Sequence, residues 1–121
     1  MALTEAAEEQ VLEVFEDVAS DLEGAADETR KAARGVRRAV AERGRGEPWE
    51  QVVGGPSGRE LLGRVAGVAS RLSAATVRLR QGIVRGLLSE GLGVRRIAEF
   101  LGVSHQRISR VVKDMNGEEE Q

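Results

Sequence analysis

The chain has 121 residues, 40% of them apolar, the size of one ordinary globular domain or of a smaller domain with a helical extension. It has no cysteine and one histidine, His105, which excludes disulfides, thiolate nucleophiles and sulfur-ligated zinc and leaves no imidazole cluster for a metal. The net charge of −2 conceals a division along the chain. Ten acidic and no basic residues stand from Met1 to Glu28, seven basic residues against Glu42 from Thr29 to Arg45, and ten basic residues against Glu90 and Glu99 from Leu61 to Lys113.

Apolar residues recur at three- and four-residue steps and alternating β-branched runs are absent, which predicts an all-α chain without a sheet. From Thr4 to Glu23 the stripe Ala7, Val11, Phe15, Val18 and Leu22, widened by Leu12 and Val14, predicts a first, acidic helix, with Gly24 as its stop. A second, basic helix is expected from about Asp27 to Arg43, with Ala32, Ala33, Val36, Ala39 and Val40 as its apolar side. The two helices suit a hairpin within one chain or a pairing between two chains. The segment Gly44 to Gly58 holds both prolines and five glycines and reads as a linker, with Trp49 anchoring it to the core. Ser57 stands three residues before Glu60, the spacing of a capping box, and opens a helix with Leu61, Val65, Val68 and Leu72 on its apolar side. The phase continues through Ala75, Leu79 and Ile83. Two helices meeting near Ser73 are expected in preference to one, because Gly63, Gly67, Gly82 and Gly86 each weaken a helix by about 1 kcal/mol relative to alanine. Arg64, Arg71, Arg78 and Arg85 recur every seven residues, as a solvated helix face or as a stripe that meets the DNA backbone.

The stretch Val94 to Lys113, VRRIAEFLGVSHQRISRVVK, carries the most information. A two-turn helix, a tight turn and a three-turn helix cross closely only if the crossing is small, and Ala98 and Gly102 meet that demand. Gly102 also takes a positive φ most easily. Ile97, Leu101, Val103, Ile108 and Val111 fall at the buried positions, and Ser104 is a natural N-cap for the second helix. These residues resemble the helix-turn-helix of bacterial DNA-binding proteins. The resemblance covers the motif and the helix before it, about Val77 to Ser89, with Ile83, Val84, Leu87 and Leu88 turned to the core. A second stretch, AVAERGRGEPWEQVV, is similar to the start of a helix-turn-helix in small actinobacterial regulators. It departs where Gly54-Gly55-Pro56 stands in place of the second helix.

The resemblance implies an all-α fold of N-terminal helices plus a C-terminal three-helix helix-turn-helix unit. The expected parts are a helical hairpin or oligomerisation region over 1–45, a linker over 46–58, a DNA-binding domain over 59–113 and a disordered acidic tail over 114–121. It also implies that the second motif helix enters the major groove, so that Ser104, His105, Gln106, Ser109 and Arg110 face the bases. Gln pairs bidentately with adenine and Arg with guanine. Arg95, Arg96, Arg107 and Lys113, with Arg78 and Arg85 on the preceding helix, are expected on phosphate.

The expected function is a sequence-specific double-stranded DNA-binding transcriptional regulator acting as a homodimer. The alternatives are an architectural, nucleoid or plasmid-maintenance protein, and an interaction module whose acidic N-terminal helix binds a protein partner in the transcription machinery. No phosphate loop, metal cluster or paired-carboxylate cleft is evident, so neither an enzyme nor a cofactor is expected. Met1 to Gln10 is acidic and no apolar run approaches the roughly 18 to 20 residues that cross a bilayer. A cytoplasmic, nucleoid-associated protein without a membrane partner is expected.

Overall fold

The computed structural model describes residues 5–120, with side chains over 5–117; the expected helix start at Thr4 and the last tail residue, Gln121, lie outside them. Among the described residues there are five helices and no strand: α1 (Glu5–Gly44), α2 (Trp49–Val53), α3 (Gly55–Ser89), α4 (Val94–Leu101) and α5 (His105–Glu120). The all-α class is what the sequence predicts. No helix among the described residues is long and apolar enough to cross a membrane.

Two expected breaks are not breaks. α1 runs through Gly24, and the Arg71 guanidinium lies where the Cβ of another residue would stand. α3 runs through Ser73 and through Gly63, Gly67, Gly82 and Gly86 as one helix. Gly82 and Gly86 leave room for Val14 and Val11, whereas at Gly63 and Gly67 the helix simply carries the propensity cost. The capping box at Ser57 does not form either, since α3 begins at Gly55, whose φ of +61° belongs to the left-handed region. The expected tail also differs, because residues 114–120 continue α5.

The chain divides into two compact units; of the described residues, 5–19 with 76–120 form one and 20–75 the other. This division cuts across the expected boundaries at 45 and 59.

In the unit of residues 20–75, α1 and α3 run antiparallel. Gly35 stands against Leu61, Glu28 accepts a hydrogen bond from Arg64 at 3.1 Å, and Gly24 stands against Arg71. Ala25, Ala32 and Ala75 are buried between the helices, and their small side chains let the backbones approach. Glu28 also pairs with Lys31 at 3.2 Å. That hydrogen bond, with the charges of Lys31 and Arg64, holds the Glu28 carboxyl below the ordinary glutamate range. The turn after α1 is closed by Arg43, which donates to the Glu47 carbonyl at 3.1 Å and stacks its guanidinium 5.3 Å from the centre of the Trp49 ring. Trp49 is not the anchor that the sequence predicts: it is 54% exposed, and Val52, one turn later on α2, is the buried residue at 5%.

In the unit of residues 5–19 and 76–120, Val11 and Val18 of α1 are buried, and Val14 lies against Gly82 of α3. Asp17 pairs with Arg78 at 3.2 Å. The expected stripe on α1 therefore splits. Val11 and Val18, continued by Ala25 and Ala32, are buried at seven-residue steps, while Leu12, Phe15 and Leu22 are exposed. The core of this unit is Val84 of α3, Ile97 and Ala98 of α4, and Ile108 and Met115 of α5. Val84, Ile97 and Ile108 have no accessible surface at all.

Gly63 and Gly67 face open space, with no atom within 4 Å of the point where a Cβ would stand on either residue. Replacing each by alanine is therefore expected to stabilise the chain by about 0.5–1 kcal/mol through helix propensity. Urea unfolding followed by circular dichroism checks this; a loss of stability would show a packing role at these sites.

Candidate nucleic-acid interface

The segment joining α3 to α4 is built from local hydrogen bonds. Glu90 and Leu92 donate backbone N–H groups to the Leu87 carbonyl at 3.2 Å, and Gly91, at φ +91°, donates to Leu88 at 3.0 Å. α4 then runs for two turns and ends at Gly102, whose φ of +68° places it in the left-handed region. The Gly102 and Val103 amides donate to the Glu99 and Ala98 carbonyls at 3.3 and 3.1 Å, closing the helix end that glycine favours. Two residues later the Ser104 hydroxyl accepts the Arg107 backbone N–H at 3.2 Å. This is the N-cap that the sequence predicts, and it fixes where α5 begins.

The small Ala98, buried at the crossing, lets α4 and α5 pack closely, and Ile97 meets Ile108 in the same core. Leu101, Val103, Val111 and Val112 pack around them. With that side of α5 turned inward, helical periodicity turns the rest outward. Ser104, His105, Gln106, Arg107, Ser109, Arg110 and Lys113 are all exposed. His105, Ser109 and Lys113 follow one another at four-residue steps, and Gln106 and Arg110 form the adjacent row. Arg95 and Arg96 are exposed on α4. Arg95 and His105 come together with Glu99 at the rim of a shallow cleft of about 410 Å³ over the Gly102 turn. From Val94 to Lys113 five cations stand against the single acid Glu99, and the free amides at the start of α5 add partial positive charge to the same end. The arrangement presents donors and cations on a convex helix.

Nine of the eleven site residues expected from sequence are exposed on α4, on α5 or at Ser104 between them, and Arg95 and His105 line one cleft. Arg78 and Arg85 are not among them, and the seven-residue register is the reason. It sets them on the face of α3 turned to acidic residues of α1: Arg78 pairs with Asp17, and half-buried Arg85 lines a cleft with Glu13, Val14 and Asp17. Phe100 was not expected in the site. It is 64% exposed on α4, with the Arg96 guanidinium 5.9 Å from its ring centre. Its signal was present in the sequence, since Phe100 lies off the stripe of Val94, Ile97, Ala98 and Leu101. Among the described residues no group of three His, Asp or Glu side chains is placed to hold a metal ion. No protein-family model, curated protein or solved structure matches the chain.

Proposed function

We infer that the chain is a sequence-specific double-stranded DNA-binding protein, a transcriptional regulator acting as a homodimer, in which α4 and α5 work as a helix-turn-helix. The observation that carries this reading is the outward row of α5: its first two turns expose Gln106, Ser109 and Arg110, while Ile108 is fully buried and Ser104 caps the helix start. A rigid helix with exposed hydrogen-bonding side chains at its N-terminal end matches the width of the major groove. Gln106 and Arg110 read base edges, with Ser104, His105 and Ser109 beside them. Arg95, Arg96, Arg107 and Lys113 hold phosphate and set the register. Phe100 supports the Arg96 guanidinium through a cation–π contact. Two copies related by a two-fold axis read half-sites one helical turn apart or a multiple of it, and regulation follows from occupancy of the site.

Two of the four arginines in the seven-residue register, Arg64 and Arg78, are engaged in ion pairs with α1, which favours the site-reading function over an architectural use of that register.

Titration of a labelled random-sequence duplex with the purified chain tests the reading. Binding is expected, and it should weaken linearly on a log–log plot of affinity against salt, with a slope set by the handful of phosphates held. No binding at about 50 mM salt would contradict it.

A further inference from the structure

Within the unit of residues 20–75, α1, α2 and the start of α3 border a cleft of about 470 Å³, inside the roughly 300–1,000 Å³ of small-molecule sites. Gly35 and Ala39, one turn apart on α1, add almost no bulk to its wall. Leu61 of α3, which packs against Gly35, and the buried Val52 of α2 complete the apolar part of the lining.

Around this apolar surface stand four cations, Lys31, Arg34, Arg38 and Arg64, and two carboxylates, Glu42 and Glu60. Ion pairing sorts them. Arg64 lies 3.1 Å from Glu28 and 3.6 Å from Glu60, and Lys31 lies 3.2 Å from Glu28. These two cations and two acids cancel. Arg34, Arg38 and Glu42 remain, and among the described residues none of the three is in an ion pair. The remainder of the lining therefore balances one negative charge. Arg34 and Arg38 are also one helical turn apart, which sets their Cβ atoms about 5–6 Å from each other. Two guanidinium groups on one wall of one cleft are placed to share a single oxyanion, and their planar N–H pairs suit a carboxylate or sulfonate. Ser57, at the start of α3, brings a hydroxyl to the same lining.

We propose that the cleft binds a small organic monoanion, its apolar body seated on Gly35, Ala39, Val52 and Leu61 and its charged head held by Arg34 and Arg38. Each half of the lining calls for one part of this ligand. A bare inorganic anion leaves the apolar half uncovered, and an uncharged apolar molecule leaves the two guanidinium groups without a counter-charge. The backbone of duplex DNA supplies the charge but keeps its apolar bases stacked away from it. The site lies wholly within residues 31–64 and rests on no DNA contact, so it stands or falls separately from the reading of α5.

Fluorescence titration of anilinonaphthalene sulfonate with the purified chain, without DNA, tests the site. The dye joins one sulfonate to an apolar body, and its uncharged relative phenylnaphthylamine has the body alone. Saturable binding of one dye per chain is expected. Arg34→Gln and Arg38→Gln should each weaken it by about tenfold, the scale of one hydrogen bond to a charged group, and should leave phenylnaphthylamine binding unchanged. Arg37→Gln is the control, since Arg37 is an exposed neighbour of the same charge outside the cleft lining; it should leave the dye affinity unchanged. All three side chains are exposed, so the helical spectrum should be kept in each variant. No dye binding, or dye binding insensitive to Arg34→Gln and Arg38→Gln, would overturn the proposal. An equal loss with Arg37→Gln would mark general charge attraction, and an equal loss for phenylnaphthylamine would mark a cleft that holds no anionic head; either overturns it as well.

Discussion

Ile97→Ala is expected to destabilise the unit of residues 5–19 and 76–120 by about 2–5 kcal/mol, whereas Phe100→Ala, on the same two-turn helix, should change stability by under about 1 kcal/mol. Ile97 has no accessible surface and packs with Val84 and Ile108; Phe100 is 64% exposed and touches Arg96. Truncating the first removes buried methyl groups and leaves a cavity that α4 and α5 cannot close without moving. Truncating the second gives up one exposed ring and a cation–π contact of about 0.5–1 kcal/mol. The larger loss is a substantial share of the roughly 5–15 kcal/mol that holds a typical domain folded. Urea unfolding of both variants decides the matter. Equal losses would mean that α4 presents a different face to the core, and Arg95 and Arg96 would then no longer point outward together.

The second large effect separates reading from holding. Arg110→Ala or Gln106→Ala is expected to cut discrimination at the affected base pair by about 5- to 140-fold, the equivalent of 1–3 kcal/mol for a lost bidentate pair. Their effect on non-specific duplex should be small. Arg95→Ala should instead weaken every sequence alike and lower the salt slope by about 1, since it removes one phosphate contact. Competition titrations with matched and mismatched duplexes distinguish the two patterns. If all three variants behaved identically, the base-reading role of the Gln106 and Arg110 row would be lost.

The geometry of α4 and α5 was legible in the sequence because it depends on residues with few interchangeable roles. Gly102 tolerates the left-handed turn, Ala98 allows the crossing, and Ser104 caps the next helix; each does so in the structure. The long helices were less legible, for two physical reasons. Glycine lowers helix propensity but also permits close approach, and local sequence does not separate these uses. At Gly24 and Gly35 the side chains of Arg71 and Leu61 lie close to the α1 backbone, and the helix runs on through Gly24, where propensity alone would end it.

The second reason is geometric. Two adjacent apolar stripes, one residue out of phase, look like a single broad stripe at a period of 3.6. Val11 with Phe15, or Val65 with Val68, reads as one face in the sequence, yet the members of each pair differ in burial. The arginine register had the same ambiguity. Its period was plain, but the acids that meet Arg64 and Arg78, Glu28 and Asp17, lie 36 and 61 residues away in the chain. Met115 shows the opposite case: it extends the buried side of α5 one turn beyond Val111, where the acidic composition of the following residues pointed to a tail.

Selection of bound duplexes from a random DNA pool at about physiological salt, followed by sequencing of what the purified chain retains, tests base reading by α5 most directly. Recovery of an inverted repeat, lost on Arg110→Ala, is the predicted result. Retention of DNA with no shared sequence, or of no DNA, would contradict it.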